Sequence, residues 1–265
     1  MTAITAAPRF ETLRLTLADD APVATLELHR PDKLNALSRQ LLGEIVEASA
    51  WLDRQRRLKV VVVRGAGRAF SGGFDLGDFA NPDPELSVRD AADLGRLATE
   101  ALTDIAPLTI GAVHGHCVGG GVVLAAACDL RLAGDDTRFS IPEVDLGIPL
   151  AWGGIPRLVR ELGPAITKEL VLTCRPFDAE EARALRFVNR VVPTAELHAT
   201  ADALARELAG KTLYSLRSTK AQANAATEDL VGTRRNAADA DALVVAMGDP
   251  ESREVSRRYL ESRSR

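Results

Sequence analysis

The 265 residues suffice for one large domain, or for a domain with a helical appendage. A formal net charge of −4 disfavours a general nucleic-acid-binding protein. No apolar run approaches the roughly 20 residues that span a bilayer, and residues 1–8 lack the basic and apolar regions of a signal peptide. Cys117, Cys128 and Cys174 have the spacing of neither a zinc site nor a disulfide framework. These features predict a cytoplasmic protein without a membrane segment.

The first part of the chain predicts a sheet covered by helices. Apolar and polar residues alternate over residues 10–17 and 23–29, which predicts an antiparallel hairpin. Ser38 is a good N-cap, and the apolar residues after it recur at helical spacing. Residues 60–63 are four consecutive valines, as is typical of a parallel strand that is buried on both faces.

The middle of the chain predicts a βαβ unit. Residues 108–113 and 129–133 resemble strands, and a glycine triplet followed by an apolar run lies between them. After about residue 149 the pattern becomes mostly helical, with a strand-like interruption at residues 187–192. We therefore predict an α/β core over residues 1–195 and a helical region over residues 196–265. The helices expected in the second region cover residues 194–208, 213–226, 234–247 and 250–263. Residues 81–84, Asn-Pro-Asp-Pro, predict an exposed loop.

Two glycine-rich segments are candidates for binding chemistry. Residues 68–76 contain two adjacent glycines, which allow a tight turn and a close approach of a ligand to the backbone. Residues 119–121 are three glycines at the start of a predicted helix, where each costs about 1 kcal/mol relative to alanine. They either expose backbone N–H groups to a developing negative charge or allow backbone segments to pack closely. The sequence leaves both alternatives open, and a plain glycine turn remains an alternative for the first segment.

Glu143 is a candidate acid/base group. It lies between apolar residues and prolines, in the segment Phe-Ser-Ile-Pro-Glu-Val-Asp-Leu-Gly of residues 139–147. Burial there would disfavour the charged carboxylate and suit proton transfer near neutral pH. The alternative is an ordinary surface glutamate.

Several other kinds of site are excluded by missing motifs. The chain has no phosphate-binding loop, no dinucleotide-binding turn and no nucleophile elbow. His114 and His116 are interpreted as satisfied polar groups, because a metal site needs a fuller ligand set. Trp152 is interpreted as packing or as the wall of a pocket. We therefore expect no metal and no permanently bound cofactor.

Four segments together resemble the enoyl-CoA hydratase/isomerase (crotonase) family in order and spacing, over residues 10 to 260. Residues 30–37, Arg-Pro-Asp-Lys-Leu-Asn-Ala-Leu, resemble its coenzyme A binding loop. Residues 69–76 resemble its Ala-Phe-x-Ala-Gly-x-Asp-Leu signature. Residues 114–121 stand where the family has Asn-Gly-x-x-x-Gly-Gly-Gly, and residues 139–147 match Phe-x-x-Pro-Glu-x-x-x-Gly.

The resemblance implies a crotonase/ClpP-like spiral of ββα repeats, followed by helices that mediate assembly into a homotrimer or homohexamer. It implies an acyl-CoA substrate, so that coenzyme A enters as part of the substrate. The implied oxyanion hole is formed by the N–H groups of Phe74 and Gly120, and Glu143 matches a catalytic glutamate. The residues implied for coenzyme A binding are Lys33, Leu34, Ala36, Arg68, Gly72, Asp75 and Leu76.

The chain departs from the family pattern at two positions. Hydratases of the family have a second glutamate where this chain has Val123, and some dienoyl isomerases have an aspartate where it has Ala151. The resemblance therefore favours 3,2-enoyl-CoA isomerisation with Glu143 alone, over hydration with a single glutamate. A non-catalytic acyl-CoA-binding member is a further alternative. RNA binding is disfavoured by the net charge, and a Clp-type serine peptidase by the valines after the glycine triplet.

Overall fold

Two sheets form the β-structure of a computed structural model that describes residues 7–81, 86–233 and 238–263. The large sheet has six strands in the order β1-β2-β3-β5-β7-β10, and the small sheet has four in the order β4-β6-β8-β9. The strands are β1 (Leu13–Leu17), β2 (Val23–Leu28), β3 (Val60–Gly65), β4 (Ala69–Ser71), β5 (Leu108–Val113), β6 (His116–Val118), β7 (Leu130–Gly134), β8 (Arg138–Ser140), β9 (Phe177–Asp178) and β10 (Arg190–Val192). The mixed α/β class predicted from the sequence is confirmed.

The predicted strands of the large sheet are confirmed. β1 and β2 form the antiparallel hairpin, with Leu13 opposite Leu28. From β2 onward each strand is parallel to the next in the sheet, in the order β2, β3, β5, β7 and β10. The four valines of β3 are buried on both faces: Val61 and Val63 belong to one apolar core, and Val60 and Val62 to a second core on the opposite face. The strand-like segment at residues 187–192 forms a shorter strand, β10, than predicted.

Helices cover both faces of the large sheet. They are α1 (Arg39–Arg54), α2 (Leu76–Ala80), α3 (Val88–Asp104), α4 (Gly120–Ala126), α5 (Gly154–Leu162), α6 (Pro164–Thr173), α7 (Ala179–Ala184), α8 (Leu197–Ala209), α9 (Leu213–Leu230), α10 (Ala238–Gly248) and α11 (Pro250–Arg263). α1 begins as predicted, because Ser38 Oγ accepts a hydrogen bond from the Leu41 N–H at 3.2 Å. Most of the loop predicted at residues 81–84, and the first residues of the helix predicted at 234–247, lie outside the described residues.

The apolar stripe of α8 has a different role from the one predicted. We expected Leu197, Ala201, Leu204 and Leu208 to remain partly uncovered and to serve assembly. Instead, these residues pack on Val60, Val62 and Ile110 of the chain's own large sheet, and the first three are buried. That argument for an oligomer is therefore wrong, because the stripe already has a partner. Among the described helices, none is long and apolar enough to cross a membrane.

The small sheet positions the candidate site. β4 is parallel to β6, and β6 is parallel to β8. The carboxyl ends of parallel strands meet at the same edge of a sheet, so the segments that follow these strands lie together. Those segments are residues 72–76, 119–121 and 141–147, which are three of the segments that carry the family resemblance.

Candidate active site

Phe74 follows β4 with a free backbone N–H. Gly73 has a φ of +90°, and a Cβ at this position would lie 2.8 Å from the Val118 carbonyl, so the chain turns tightly against the end of β6. Leu37 hydrogen-bonds to the two peptide groups that flank Phe74: its N–H donates to the Gly73 carbonyl at 2.7 Å, and its carbonyl accepts from the Asp75 N–H at 3.2 Å. No described residue accepts a hydrogen bond from the Phe74 N–H.

At each glycine of the triplet, a side chain would collide with a different neighbour. Gly119 has a φ of +51°, and a Cβ there would overlap Oε1 of Glu143. A Cβ at Gly120 would overlap the Trp152 ring, and a Cβ at Gly121 would lie 2.9 Å from the Ser71 Cβ. Gly120 is also the first residue of α4, so its N–H has no acceptor within the helix, and no described residue supplies one. Close packing and an N–H group without an acceptor therefore occur together.

Glu143 is the acid expected from the sequence. The residue as a whole is half-buried, but its Oε2 is inaccessible and has no hydrogen-bond partner among the described residues. Burial in these surroundings raises the pKa of Glu143 from 4.5 to about 7. A carboxyl group with this pKa can both accept and return a proton near neutral pH.

Phe74, Gly120 and Glu143 line one cavity of about 280 Å³, which we call the Glu143 cavity. Val123 and Ala151, the two positions at which the sequence departs from the family pattern, also line it. Trp152 forms part of its wall, as predicted. The remaining lining residues are Arg39, Asp78, Leu86, Val88, Ala91, Ala92, Ile148, Pro149, Leu150, Leu243 and Met247.

The second carboxylate at the cavity, Asp78, is paired with Arg39. Asp78 Oδ2 accepts a hydrogen bond from the Arg39 N–H at 2.7 Å, and the Arg39 guanidinium lies 3.8 Å from Asp78 Oδ1. Among the described residues that line the cavity, Glu143 is therefore the carboxylate without a cationic partner.

The predicted coenzyme A loop lies beside the Phe74 segment. Pro31–Lys33 form a 3-10 helix, after which Leu34 and Asn35 have φ values of 50° and 52°. The buried Asn35 amide holds this shape, because its Nδ2 donates to the Ala66 and Ala69 carbonyls, both at 2.8 Å. The Gly72 N–H donates to the Leu34 carbonyl at 2.7 Å.

The other residues predicted for coenzyme A binding surround this loop. Asp75 forms an ion pair with Arg30 at 2.8 Å and caps α2 by accepting from the Gly77 N–H. The side chains of Lys33, Arg68 and Leu76 are exposed, and Ala36 is half-buried. None of the seven predicted residues lines the Glu143 cavity, so the loop region and the cavity are separate parts of the candidate site.

Sequence inspection missed several lining residues. Arg39 and Asp78 gave no signal, because each resembles an ordinary surface charge. Leu243 and Met247, on α10, lie about a hundred residues after Glu143, so no local spacing could connect them to it. His114 is only half satisfied: Nε2 lies 2.9 Å from the Gly67 carbonyl, whereas Nδ1 has no partner. Among the described residues, no group of three potential metal ligands occurs.

Comparison with known proteins identifies the family. The enoyl-CoA hydratase/isomerase family model matches residues 19–265. A probable enoyl-CoA hydratase of Mycobacterium bovis is 35% identical over 210 residues, which cover 79% of this chain and 80% of the relative. The human mitochondrial Delta(3,5)-Delta(2,4)-dienoyl-CoA isomerase is 34% identical over 223 residues, or 80% of this chain and 68% of the relative.

The fold agrees with this comparison. The crystal structure of an enoyl-CoA hydratase/isomerase from Xanthobacter autotrophicus matches with a TM-score of 0.83 at 31% identity, covering 94% of both chains. The model match and the relatives span most of this chain, and the neighbour reproduces its architecture. The protein is therefore a member of the enoyl-CoA hydratase/isomerase family of enzymes.

Proposed function

We propose that this enzyme moves the double bond of a 3-enoyl-CoA thioester to the 2-position, with Glu143 as its only acid/base. The observation that carries the proposal is that Glu143 is the one carboxylate without a cationic partner among the described residues that line the Glu143 cavity. Asp78 is paired with Arg39, and Val123 and Ala151 replace the other acids of the family. One carboxylate suffices for isomerisation, because the same group can remove a proton and return it.

The reaction begins when the thioester carbonyl oxygen accepts hydrogen bonds from the Phe74 and Gly120 N–H groups. Glu143 removes a proton from C2, and the electron pair moves into an enolate whose negative charge rests on that oxygen. The proton then returns from Glu143 to C4, the double bond forms between C2 and C3, and the carboxylate is regenerated. Free N–H groups and a pKa near 7 support these roles.

The loop region is proposed to hold the coenzyme A moiety, which arrives and leaves with the acyl group. The exposed cations Lys33 and Arg68 suit its phosphates. The backbone hydrogen bonds of Leu34, Ala36 and Gly72 hold the shape of the loop, and Asp75 and Leu76 lie at the start of α2 beside it. We further propose a cytoplasmic enzyme with no resident cofactor and with the boundary between core and helical region near residue 195.

Hydration of a 2-enoyl-CoA is the second candidate, and the names of relatives such as the probable hydratase of Mycobacterium bovis favour it. Hydration needs water activated at C3 and a proton delivered to C2, which two carboxylates can share. Val123 is fully buried and cannot accept a hydrogen bond, so it keeps that side of the cavity dry. We therefore expect hydration to be slow.

The deciding assay supplies two substrates. Crotonyl-CoA is followed by loss of its conjugated absorbance, and a 3-enoyl-CoA by the appearance of that absorbance. We expect isomerisation and little hydration, and Glu143→Gln should lower isomerisation by on the order of a hundred- to ten-thousand-fold. Rapid hydration that survives Glu143→Gln would overturn the proposal. If no acyl-CoA bound in calorimetry, the proposal would also be contradicted.

Val123→Glu tests the proposed reason for slow hydration. Val123 lines the Glu143 cavity, so the new carboxylate would enter it and could hold a water molecule. We expect measurable hydration of crotonyl-CoA by this variant. Val123→Gln, which has the same length without the charge, is the matched control and should remain inactive as a hydratase.

Assembly is also proposed, as a homotrimer or homohexamer. Light scattering at micromolar protein concentration measures the mass directly. Because the α8 stripe is covered within the chain, the contact surface must be elsewhere. A monomer would contradict the proposal.

A further inference from the structure

Trp152 is clamped between two helices at glycine positions. Its indole lies where a Cβ of Gly95, on α3, would overlap it, and its ring edge lies where a Cβ of Gly120, on α4, would overlap it. Its φ is +63°, and its carbonyl accepts a hydrogen bond from Thr99 Oγ1 at 3.2 Å. A bulky residue takes this backbone conformation only where its surroundings impose it. The indole therefore occupies one defined position in the free enzyme.

The clamped indole touches both residues whose amides are assigned to the thioester carbonyl. Its ring packs edge-to-face on Phe74, with centroids 5.8 Å apart and an interplanar angle of 89°. The edge of the same ring lies against Gly120. One side chain thus packs against both residues to which the oxyanion hole is assigned.

We propose that Trp152 is the specificity-determining residue of the Glu143 cavity, limiting the substrate to a compact, apolar acyl group. The inference rests on the proposed function, since it assumes that the acyl group enters this cavity. Among the described residues that line the cavity, the side chains other than Arg39, Asp78 and Glu143 are apolar. A hydroxyl or carboxyl group on the acyl chain would lose its hydrogen bonds to water there without regaining them.

The volume of the cavity limits how much of an acyl group can lie within it. It is about 280 Å³, whereas a cavity of about 150 Å³ holds one benzene molecule. The Glu143 cavity therefore accommodates an acyl group on the order of ten carbon atoms. Trp152 has the largest side chain in its lining, so its replacement by a small residue would enlarge the space most.

The test measures binding of saturated acyl-CoA thioesters, which separates size selection from the reaction type. Butanoyl-, decanoyl- and hexadecanoyl-CoA are titrated by calorimetry into the wild type, Trp152→Ala and Trp152→Phe. Trp152→Ala keeps a Cβ and hence the same backbone demand, and Trp152→Phe keeps an aromatic ring. We expect wild type to prefer decanoyl-CoA. In Trp152→Ala the affinity for hexadecanoyl-CoA relative to butanoyl-CoA should rise at least about tenfold, and Trp152→Phe should lie between the two.

The outcomes distinguish this inference from the proposed function. If wild type binds acyl-CoA but the Trp152 variants keep the wild-type chain-length preference, the inference fails and the function stands. If wild type binds none of the three thioesters, both fail. Circular dichroism of each variant, measured first, shows whether it is folded. A variant that unfolds is replaced by Trp152→Leu, which fills more of the space, and the same comparison decides.

Intrinsic fluorescence gives an independent measurement, because the chain has two tryptophans, Trp51 and Trp152. Trp51 lies in α1, in the main core and outside the Glu143 cavity. In Trp51→Phe the emission reports on Trp152 alone and should change on addition of decanoyl-CoA. In Trp152→Phe the remaining emission should not change. The reverse result would place the acyl group away from Trp152 and overturn the inference.

Discussion

Two cavities in the described part of the chain differ in whether their carboxylates have cationic partners. The larger, of about 900 Å³, lies between α9 and the body of the protein, and we call it the α9 cleft. Both carboxylates that line it are paired, Asp129 with Lys220 at 2.8 Å and Glu161 with Arg131 at 2.5 Å. In the smaller Glu143 cavity, the Glu143 carboxyl group has no cationic partner. The unpaired acid, and not the larger volume, is therefore the feature on which the proposed site of proton transfer rests.

Breaking the ion pair between Asp129 and Lys220 in the α9 cleft should have the largest effect on stability. Lys220→Met leaves Asp129 nearly buried without its cation, and we expect the free energy of unfolding to fall by about 3–5 kcal/mol. Arg206→Met is the matched control, because its ion pair with Asp20 is exposed to solvent and should contribute little to stability. Urea unfolding of both variants measures the difference. Equal losses would contradict the contrast between buried and exposed pairs.

Glu143 should make stability fall as the pH rises. Its pKa is about 7 in the folded protein and near 4.5 when the chain is unfolded, so between these values the folded state binds more protons. The resulting stabilisation is complete below about pH 4.5 and is lost as the pH rises through about 7. It amounts to about 3 kcal/mol.

Glu143→Gln should remove this dependence. The test compares unfolding free energies of wild type and variant from pH 5 to 8. The difference between the two should change with pH in the stated direction. A difference that is constant with pH would show that the carboxyl group is hydrated and not buried.

Gly95 and Gly43 provide a smaller test of the wall of the Glu143 cavity. Both lie within helices, but a Cβ at Gly95 would overlap Trp152, whereas a Cβ at Gly43 would meet nothing within 4 Å. We expect Gly95→Ala to cost about 1–3 kcal/mol through overpacking. Gly43→Ala should stabilise by up to about 1 kcal/mol through helix propensity. Thermal unfolding measures both, and a stabilising Gly95→Ala would refute the clamp on Trp152.

The cysteines should have the smallest effect on turnover. All three are free and buried, and none lines the Glu143 cavity. Burial raises the pKa of Cys128, which lines the α9 cleft, to about 12, so it stays a neutral thiol. Replacing all three by alanine or serine should lower stability modestly and leave kcat largely unchanged. A large loss of kcat in a folded variant would contradict this.

Regular, long elements were predictable from the sequence. The four valines of β3 and the alternation in β1 and β2 each identify a strand, because their side chains face a continuous core. The strands of the small sheet, two or three residues long, are too short to show a period. α3 was not predicted: four of its five buried residues, Ala92, Gly95, Ala98 and Thr99, are small, and Leu102 is the one large apolar side chain among them.

The candidate site was predictable where it depends on local sequence. Gly119 to Gly121 and Glu143 stand in segments whose spacing is distinctive, and all line or support one cavity. The need for glycine at position 95 could not be predicted, because a side chain there would overlap the indole of Trp152, which lies 57 residues later along the chain (152 − 95). The pairing of Arg39 with Asp78 is also a tertiary property. Sequence spacing does not encode such contacts.

The hydrogen bonds of Leu37 join the proposed coenzyme A loop to the peptide groups on either side of Phe74. Through such hydrogen bonds, binding of the remote end of a substrate can influence the geometry at its reactive end. The adenosine and phosphate groups, which take no part in bond making, would thereby help to align an amide that does. A thioester shortened to its pantetheine portion should accordingly be converted more slowly even at saturation.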